Sequence, residues 1–415
     1  MRWQLFFILL VTSRLAGAAN QSPLPFDEAV ERALGIAPQV SARAEGASAM
    51  RELAVSAGRL PDPALTVGVD NLPINGPDAG STTADFMTMR TVGLMQEFPS
   101  RAKRRLERER ASAEVDLAGA KLAETSLDVA RATARAWIRR AALESVVENL
   151  RALRPEVELG AAAARAGVAA GRASTAQALA AEMAVVRLDN RIVEMETEAH
   201  HARIELARWI GADAERPLAP MPAFDRLPEP AAALLAGVER HGTILPFESR
   251  LAAARTDVER ARANKRPDWS AGVSYGKRGP EFSDMASLQF TVGLPLFAKH
   301  RQDPVIAARN AELRQLEADR DATLRAHEAE LHKMLVEWEQ AGVRLERYDR
   351  ELLPLGRERA AAALAAYRAG HGEFQLALDA FEDEIELAVE RALLADTRGR
   401  AWAFLRYLEP RQLRP

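Results

Sequence analysis

The sequence predicts a mainly α-helical protein with a small β part, built as an internal tandem repeat. Most of the chain is rich in Ala, Leu, Glu and Arg, residues that favour helix. Two segments instead carry the pattern of β-hairpins, and a very long helical stretch follows each of them. The residues Thr91–Leu94 recur as Thr291–Leu294, 200 positions later. A unit of about 200 residues therefore occurs twice.

Further pairs of matching residues indicate where the two copies begin and end. The displacement between partners drifts from 208 to 198 along the copies, as small insertions and deletions would produce. The matching pairs are Val30–Arg32 with Val238–Arg240, Pro155 with Pro354, Gly171 with Gly370, and Ala207–Ile210 with Leu405–Leu408. We predict the first repeat at residues 20–210 and the second at 231–415, joined by a proline-rich linker at 211–230.

The first residues, 1–19, have the features of a secretory signal peptide. A charged start precedes the apolar run Leu5–Val11, and Ala16–Ala19 forms a small-residue cleavage site. The chain is therefore expected to be exported. Its formal net charge of −3 argues against nucleic acid as a partner. Because the sequence has no cysteine, disulfides and thiolate metal sites are excluded.

Each repeat is expected to open with a helix and continue into a β-hairpin. In the first copy, a helix over 26–58 precedes strands at Leu65–Asp70 and Phe86–Phe98. The corresponding segments of the second copy are 231–264, Trp269–Tyr275 and Met285–Phe297. Strands of about 9–11 residues can cross a bilayer, but four strands are too few to close a barrel. Either the sheet is soluble and packs on helices, or several chains combine their strands.

A long helical stretch and a returning helix complete each repeat. The long stretches, 101–167 and 301–369, would each measure on the order of 100 Å, more than the helices of ordinary globular domains. An internal proline, Pro155 or Pro354, is expected to kink or locally bend each stretch. Small-residue turns then lead into the returning helices, which are predicted at 174–210 and 374–408.

This duplicated order of hairpin, long helix, turn and helix resembles the TolC-like outer-membrane efflux channels over nearly the whole mature chain. The most specific motifs are Leu60–Pro63, Asp70–Pro73, Phe86–Arg90 and Met95–Pro99. They resemble the branch that serves heavy-metal efflux pumps, the CzcC-type channels of cobalt, zinc and cadmium export. Two further segments resemble the periplasmic tip of the family, Tyr367–Gly370 and Leu378–Ala380.

The resemblance implies a homotrimer in the outer membrane that extends into the periplasm. Three chains would combine their strands into one twelve-stranded barrel, and the long helical hairpins would form a periplasmic tunnel. The implied partners are outer-membrane lipid, a periplasmic adaptor (membrane-fusion) protein and an inner-membrane RND-type pump, with no cofactor. The adaptor would dock on the hairpin tips, near Gly171, Gly370 and Tyr367.

The resemblance also implies a constriction at the tip. In the family, acidic residues at the inner end of the tunnel form rings that narrow the pore and favour cations. Asp379 falls on one of these positions, whereas Leu376 replaces the family's other aspartate. Glu373, Glu382, Asp383 and Glu384 are candidates to supply part of the ring.

No catalytic or metal-binding constellation is visible in the sequence. His200 and His201 are adjacent, so they leave a helix about 100° apart, and His327 and His332 are also poorly spaced for one helix face. His371 has no partner nearby in the sequence. We therefore expect the histidines at the solvated surface, no specific metal site and no enzymatic activity.

The expected function is a passive exit channel for divalent heavy-metal cations, opened by the adaptor and the pump. Two alternatives stay open at this point. The same channel would serve for the export of drugs or polypeptides, or the chain would be a soluble periplasmic coiled-coil adaptor or scaffold.

Overall fold

The computed structural model describes residues 22–369 and 371–413. The predicted signal peptide at 1–19 and Gly370 lie outside the described residues. The described part is mainly α-helical with one small antiparallel sheet, which confirms the predicted combination of long helices and a small β part. No helix in it has both the length and the apolar character that a membrane-spanning helix requires.

The amino-terminal part forms two helices where the sequence predicted one. Helix α1 (Phe26–Ile36) carries Asp27 and Glu28 in its first turn, where carboxylates face the positive end of the helix dipole. Helix α2 (Pro38–Ser56) begins at a proline. Proline disfavours the helical conformation of the preceding residue, and Ala37 is accordingly extended.

The two long helical stretches differ in continuity. Helix α3 (Arg101–Ala169) is one helix of 69 residues, which its internal proline does not interrupt. Its counterpart is divided, because α7 (Ala298–Arg347) passes through a π-helical turn at Tyr348–Leu352 into α8 (Leu353–Arg368). Pro354 lies in the first turn of α8, where its missing N–H has little effect. The predicted local distortion therefore occurs next to Pro354.

The remaining helices complete the two repeats. The first returning helix, α4 (Thr175–Ile210), begins with a capping box in which Ser174 and Gln177 exchange side-chain-to-backbone hydrogen bonds. The others are α5 (Ala231–Ala236), α6 (Leu245–Ala263) and the second returning helix α9 (Phe374–Arg406).

The sheet contains the two predicted hairpins side by side. Its strands are β1 (Ala64–Asp70), β2 (Met89–Phe98), β3 (Trp269–Lys277) and β4 (Met285–Val292). All neighbours are antiparallel in the order β1-β2-β3-β4, so β2 and β3 join the hairpins. Strand β4 ends earlier than predicted, because Pro295 has no N–H to continue the ladder.

Contacts divide the chain into two compact units, and each unit draws on both repeats. The first contains the described residues of Met1–Ala37, with Val129–Leu227 and Met334–Arg406. The second contains Pro38–Asp128, Pro228–Lys333 and the described residues of Tyr407–Pro415. The turns at the ends of the helical hairpins belong to the first unit, and the sheet belongs to the second.

Aromatic side chains and a helical core stabilise the first unit. The ring of Phe26 meets Trp137 edge-on at 5.6 Å between centroids, and it lies 5.7 Å from both Phe224 and Trp402. The helical core joins α3, α4, α8 and α9, and its members include Val146, Leu150, Leu188, Ile192, Ala360, Leu364, Phe381 and Val389.

In the second unit, ion pairs connect the helices with each other and with the start of β3. Lys103 Nζ of α3 lies 2.5 Å from Oδ2 of Asp268, the residue immediately before β3. Arg110 Nε of α3 lies 2.8 Å from Oδ1 of Asp257 on α6. Gly242 packs so closely on α3 that a Cβ there would lie 2.4 Å from the Leu127 side chain.

Candidate functional site

The sheet has one apolar face and one polar face. Directly paired residues of antiparallel strands lie on the same face, so the register sorts the side chains into rows. The rows of the apolar face include Leu65–Leu94–Val273–Leu288, Val67–Val92–Tyr275–Ala286, Gln96–Ala271–Phe290 and Phe98–Trp269–Val292, with Gln96 as a polar member. The rows of the polar face include Thr66–Gly93–Ser274–Ser287, Gly68–Thr91–Gly276–Met285 and Ser270–Thr291.

The apolar face is bare rather than packed on a helix. Leu65, Val67, Leu288 and Phe290 are 69%, 72%, 77% and 73% exposed. In a soluble two-layer domain, such a face would be buried against another element. Apolar patches of this kind mark contact with a protein partner or with a membrane.

Aromatic and basic side chains lie at opposite ends of the apolar face. Phe98 and Trp269 stack at 4.1 Å between ring centroids in the row next to the helices. Arg90 and Lys277 form the row near the hairpin loops. Aromatic rings and long basic side chains at the borders of an apolar band are typical of surfaces that meet both lipid and water.

The two outer strands each leave one edge without a partner strand. Because the sheet order is β1-β2-β3-β4, the described part of the chain provides no neighbour beyond β1 or beyond β4. The unpaired backbone N–H and C=O groups of such an edge are available to another chain. The sheet can therefore be continued on both sides by further strands.

At the other candidate site, the helical hairpins end in short turns of similar geometry. After α3, Gly171 adopts a φ of +69°, and the N–H of Arg172 donates to the carbonyl of Gly167 at 2.8 Å. This is a Schellman motif, which requires a residue that tolerates positive φ. The bond from the N–H of His371 to the carbonyl of Ala366 at 3.0 Å is its counterpart after α8.

The structure brings two of the three predicted docking residues into one region, while Gly370 lies outside the described residues. Tyr367 packs against the buried cluster of Ala161, Ala164, Ala181 and Leu378. Its Oη would lie 3.3 Å from a Cβ at Gly167, so it contacts the turn that contains Gly171. Tyr367 is therefore half-buried between the two turns rather than projecting from them.

Three of the carboxylates predicted at the constriction have different surroundings. Glu382 lies 3.3 Å from Arg187 of α4, and Asp383 pairs with Arg359 of α8. The Oδ1 of Asp379 instead accepts a hydrogen bond from the neutral amide of Gln375 at 2.7 Å. No cation of the described residues lies within ion-pair distance of Asp379, so it keeps the least compensated negative charge of the three.

Glu384, a neighbour of these carboxylates in the sequence, is buried. Its nearest cation is Arg357 of α8, at 3.8 Å. Burial raises the pKa of Glu384, the negative charge of Glu156 on α3 raises it further, and Arg357 opposes both effects. Glu384 thus lies inside the helical packing, and the expectation that it supplies part of the ring is wrong.

The expectation that these five histidines lie at the surface is wrong for His327. His200, His201, His332 and His371 are exposed, but His327 is 3% exposed, and its Nε2 lies 2.9 Å from Nδ1 of the buried His241. Spacing could not predict this contact, because the two histidines are 86 positions apart. Within the described residues, no group of three or more His, Asp or Glu side chains is arranged to hold a metal ion.

Comparison with known proteins identifies the fold. No family model and no curated protein matches the chain. A membrane protein from Pseudomonas aeruginosa is similar with a TM-score of 0.80 at 18% identity, covering 92% of this chain and 89% of that one. CusC, whose crystal structures concern folding and transmembrane channel formation, is similar with a TM-score of 0.79 at 15% identity, covering 92% of this chain and 90% of CusC. The outer membrane protein VceC from Vibrio cholerae is similar with a TM-score of 0.75 at 19% identity, covering 91% of this chain and 93% of VceC. At these identities, the likeness shows a shared fold.

Replacing Glu384 with Gln should remove a pH-dependent loss of stability. Because its pKa is raised in the folded state, the folded protein keeps a proton that the unfolded chain releases. Wild-type stability therefore falls as the pH rises through the raised pKa. Glu384→Gln should melt at a higher temperature than the wild type at neutral pH, and at the same temperature in acid below the ordinary glutamate pKa.

The matched control is Glu386→Gln, two positions along the same helix and exposed. Melting curves followed by circular dichroism should show no pH-dependent difference for this control. A Glu384→Gln variant that differs from the wild type equally in acid and at neutral pH contradicts the assignment.

Proposed function

We propose that the chain is the outer-membrane exit channel of a tripartite efflux system, assembled as a homotrimer. It is a passive conduit that its partners open, and it is not an enzyme. The single observation that carries the proposal is the sheet, with its bare apolar face, its polar opposite face and its two free edges. Lipid of the outer membrane would cover the apolar face, and the polar face would line a water-filled pore.

The free edges supply the reason for several copies. In lipid, each unpaired backbone N–H or C=O group costs several kcal/mol, so every strand needs neighbours on both sides. Pairing β4 of one copy with β1 of the next satisfies both edges of every chain. Three copies, the number that the family resemblance implies, would give twelve strands.

The domain organisation agrees with this assembly. Two repeats in each chain, at 20–210 and 231–415 with the linker at 211–230, would give six similar units in a trimer. The signal peptide at 1–19 would direct export, and the helical hairpins would lie in the periplasm. The tips around Gly171, Gly370 and Tyr367 would receive the adaptor protein, which connects the channel to an RND-type pump.

Introducing charge into the apolar face should prevent membrane insertion. Arg in place of Leu288, in the middle of β4, should cost about 2–4 kcal/mol in each chain, because it would face hydrocarbon. Arg in place of Gln289, the next residue, would face the pore and should be tolerated. The measurement is the amount of each variant in purified outer membranes, with equal synthesis of both proteins.

A soluble periplasmic scaffold, the alternative of a different class, predicts another result. If the chain were such a scaffold, the wild type would be recovered in the soluble periplasmic extract. Leu288→Arg and Gln289→Arg would then be recovered in equal amounts. That pair of results would overturn the channel proposal.

The tip is proposed to form a constriction that favours cations. Asp379, Glu382 and Asp383 are the candidate carboxylates, and in a homotrimer each occurs three times. A ring of carboxylates at a narrow pore attracts divalent cations and repels anions. Asp379 should dominate, because arginines compensate the other two charges.

Asp379→Ala should therefore reduce the block of single-channel current by divalent cations several-fold. Asp383→Ala, which removes a carboxylate paired with Arg359, is the matched control and should change the block much less. Both are measured in planar bilayers with the purified full chain. Unchanged conductance and unchanged block in Asp379→Ala would exclude it from the constriction.

Divalent heavy-metal cations are the proposed cargo. The support is the likeness of the motifs from Leu60 to Pro99 to the heavy-metal branch, together with the acidic tip. A deletion strain should become sensitive to one or more of zinc, cobalt, cadmium and copper, and the wild-type chain should restore growth. Sensitivity to drugs alone, with unchanged metal tolerance, would instead support the alternative of drug export through the same channel.

A further inference from the structure

The loop end of the apolar sheet face carries two basic side chains next to each other. Arg90 of β2 and Lys277 of β3 are directly paired, so both leave the face that also carries the pair Val92 and Tyr275. We name Arg90 and Lys277 the basic pair. Both residues are exposed, and the Cβ atoms of directly opposed residues lie about 4.5–5.5 Å apart. Like charges in this position destabilise a sheet, unless an anion lies between them.

The chain itself does not supply this anion. Within residues 22–369 and 371–413, no carboxylate lies within ion-pair distance of Arg90 or Lys277. Asp284, the residue before β4, is engaged by other groups. Its carboxylate accepts hydrogen bonds from the hydroxyl of Tyr275 and from the N–H of Arg278, the latter at 3.3 Å, and Lys277 attracts it only at longer range. The basic pair therefore keeps its positive charge.

The third basic residue at this end, Arg278, has a different task. Its Nε donates to the carbonyl of Ser283 at 2.6 Å, and its Nη1 donates to the carbonyl of Phe86 at 3.2 Å. The guanidinium also lies over the ring of Phe282, 5.7 Å from its centroid. Arg278 thus holds the two hairpin loops together, and the basic pair is left to contact a ligand.

Charge on the apolar face is confined to its loop end. The row at the other end, next to the helices, consists of Phe98, Trp269 and Val292, and the rows between the two ends carry no charge. In the proposed channel the helices lie in the periplasm, so the loop end lies at the outer leaflet of the outer membrane. Basic side chains at a membrane surface recognise anionic lipid headgroups. The basic pair therefore lies where it would meet the headgroups of one leaflet.

We propose that the basic pair binds a phosphate of lipid A, the phosphorylated glycolipid of the outer leaflet. A phosphate monoester carries about −1.5 to −2 charges at pH 7, which matches two adjacent cations. Arginine binds such a group through two parallel hydrogen bonds, and lysine binds it as a point charge.

The surface next to the basic pair suits the acyl chains of the same lipid. Val69 lies in the row of the basic pair, and Val92 and Tyr275 lie in the next row. These three side chains are 43%, 50% and 51% exposed. A free phosphate ion would leave them uncovered, whereas the chains of a lipid would cover them. The proposal rests on the proposed outer-membrane location and names one lipid that the sheet would bind there.

Binding of purified lipid A tests the site. The full-length wild type and the double variant Arg90→Gln/Lys277→Gln are purified from outer membranes in mild detergent and freed of bound lipid. Lipid A is then titrated in, and the bound lipid is counted by native mass spectrometry. We expect the double variant to bind about tenfold more weakly or worse, because charge-assisted hydrogen bonds to the phosphate are lost. The charge-preserving variant Arg90→Lys/Lys277→Arg should bind nearly as tightly as the wild type.

The matched control is Arg101→Gln/Lys299→Gln, which also removes one arginine and one lysine. Both residues are exposed, and they lie in the first turns of α3 and α7, outside the rows of the apolar face. The control should bind lipid A as tightly as the wild type. If it loses as much affinity as Arg90→Gln/Lys277→Gln, the lipid responds to overall charge and the basic pair is not its site.

Two further measurements use the wild type alone, so they decide the proposal even if the double variant does not assemble. Lipid A without its phosphates should bind much more weakly than intact lipid A. Inorganic phosphate at the same concentration should not displace intact lipid A, because it makes no contact with the apolar face. Equal binding of the dephosphorylated lipid, or displacement by inorganic phosphate, would overturn the proposal.

The outcomes separate this inference from the proposed function. If the wild-type chain is an outer-membrane trimer but Arg90→Gln/Lys277→Gln binds lipid A as tightly as the wild type, the lipid site is wrong and the channel proposal stands. A wild-type chain that is monomeric and soluble overturns both.

Discussion

The arrangement of this protein depends on one constraint, an apolar sheet face that the described chain does not cover. Burial of apolar surface contributes about 25 cal/mol for each Å², so side chains as exposed as Leu288 and Phe290 represent stabilisation that folding of one chain leaves unused. The free edges of β1 and β4 add unpaired backbone groups to the same surface. In the proposed channel, lipid would cover the apolar face, further copies would pair with the free edges, and the small polar side chains opposite would face water.

The helical part also leaves apolar side chains exposed in one chain. Helix α9 contacts α8 and, through Asp396, Arg139 of α3, whereas several apolar side chains of α4 are exposed: Leu179, Met183, Val186, Val193 and Ile204. The two repeats are therefore alike in secondary structure and different in environment. The carboxylates near the tip also differ in their surroundings. Arginines compensate Glu382 and Asp383, whereas Asp379 accepts a hydrogen bond from a neutral amide.

Much of the fold could be predicted because its signals are local. Strand alternation, helix-forming composition and turn glycines gave the four strands and the long helices within a few residues. The break at Ala37 and the π-helical turn before Pro354 depend on the exact hydrogen bonds around prolines, which composition does not reveal. The pairing of His241 with His327 and the burial of Glu384 depend on tertiary packing and could not be predicted from spacing alone.

The location and oligomeric state of the wild-type chain decide whether it is an outer-membrane channel. Membranes are separated, extracted in mild detergent and analysed on a denaturing gel with and without prior heating. We expect the chain in the outer-membrane fraction. Without heating it should migrate near three times the mass of the 45.4 kDa chain, less the signal peptide, and heating should convert it to the monomer. A chain that appears in the soluble extract and migrates as a monomer without heating would contradict the account.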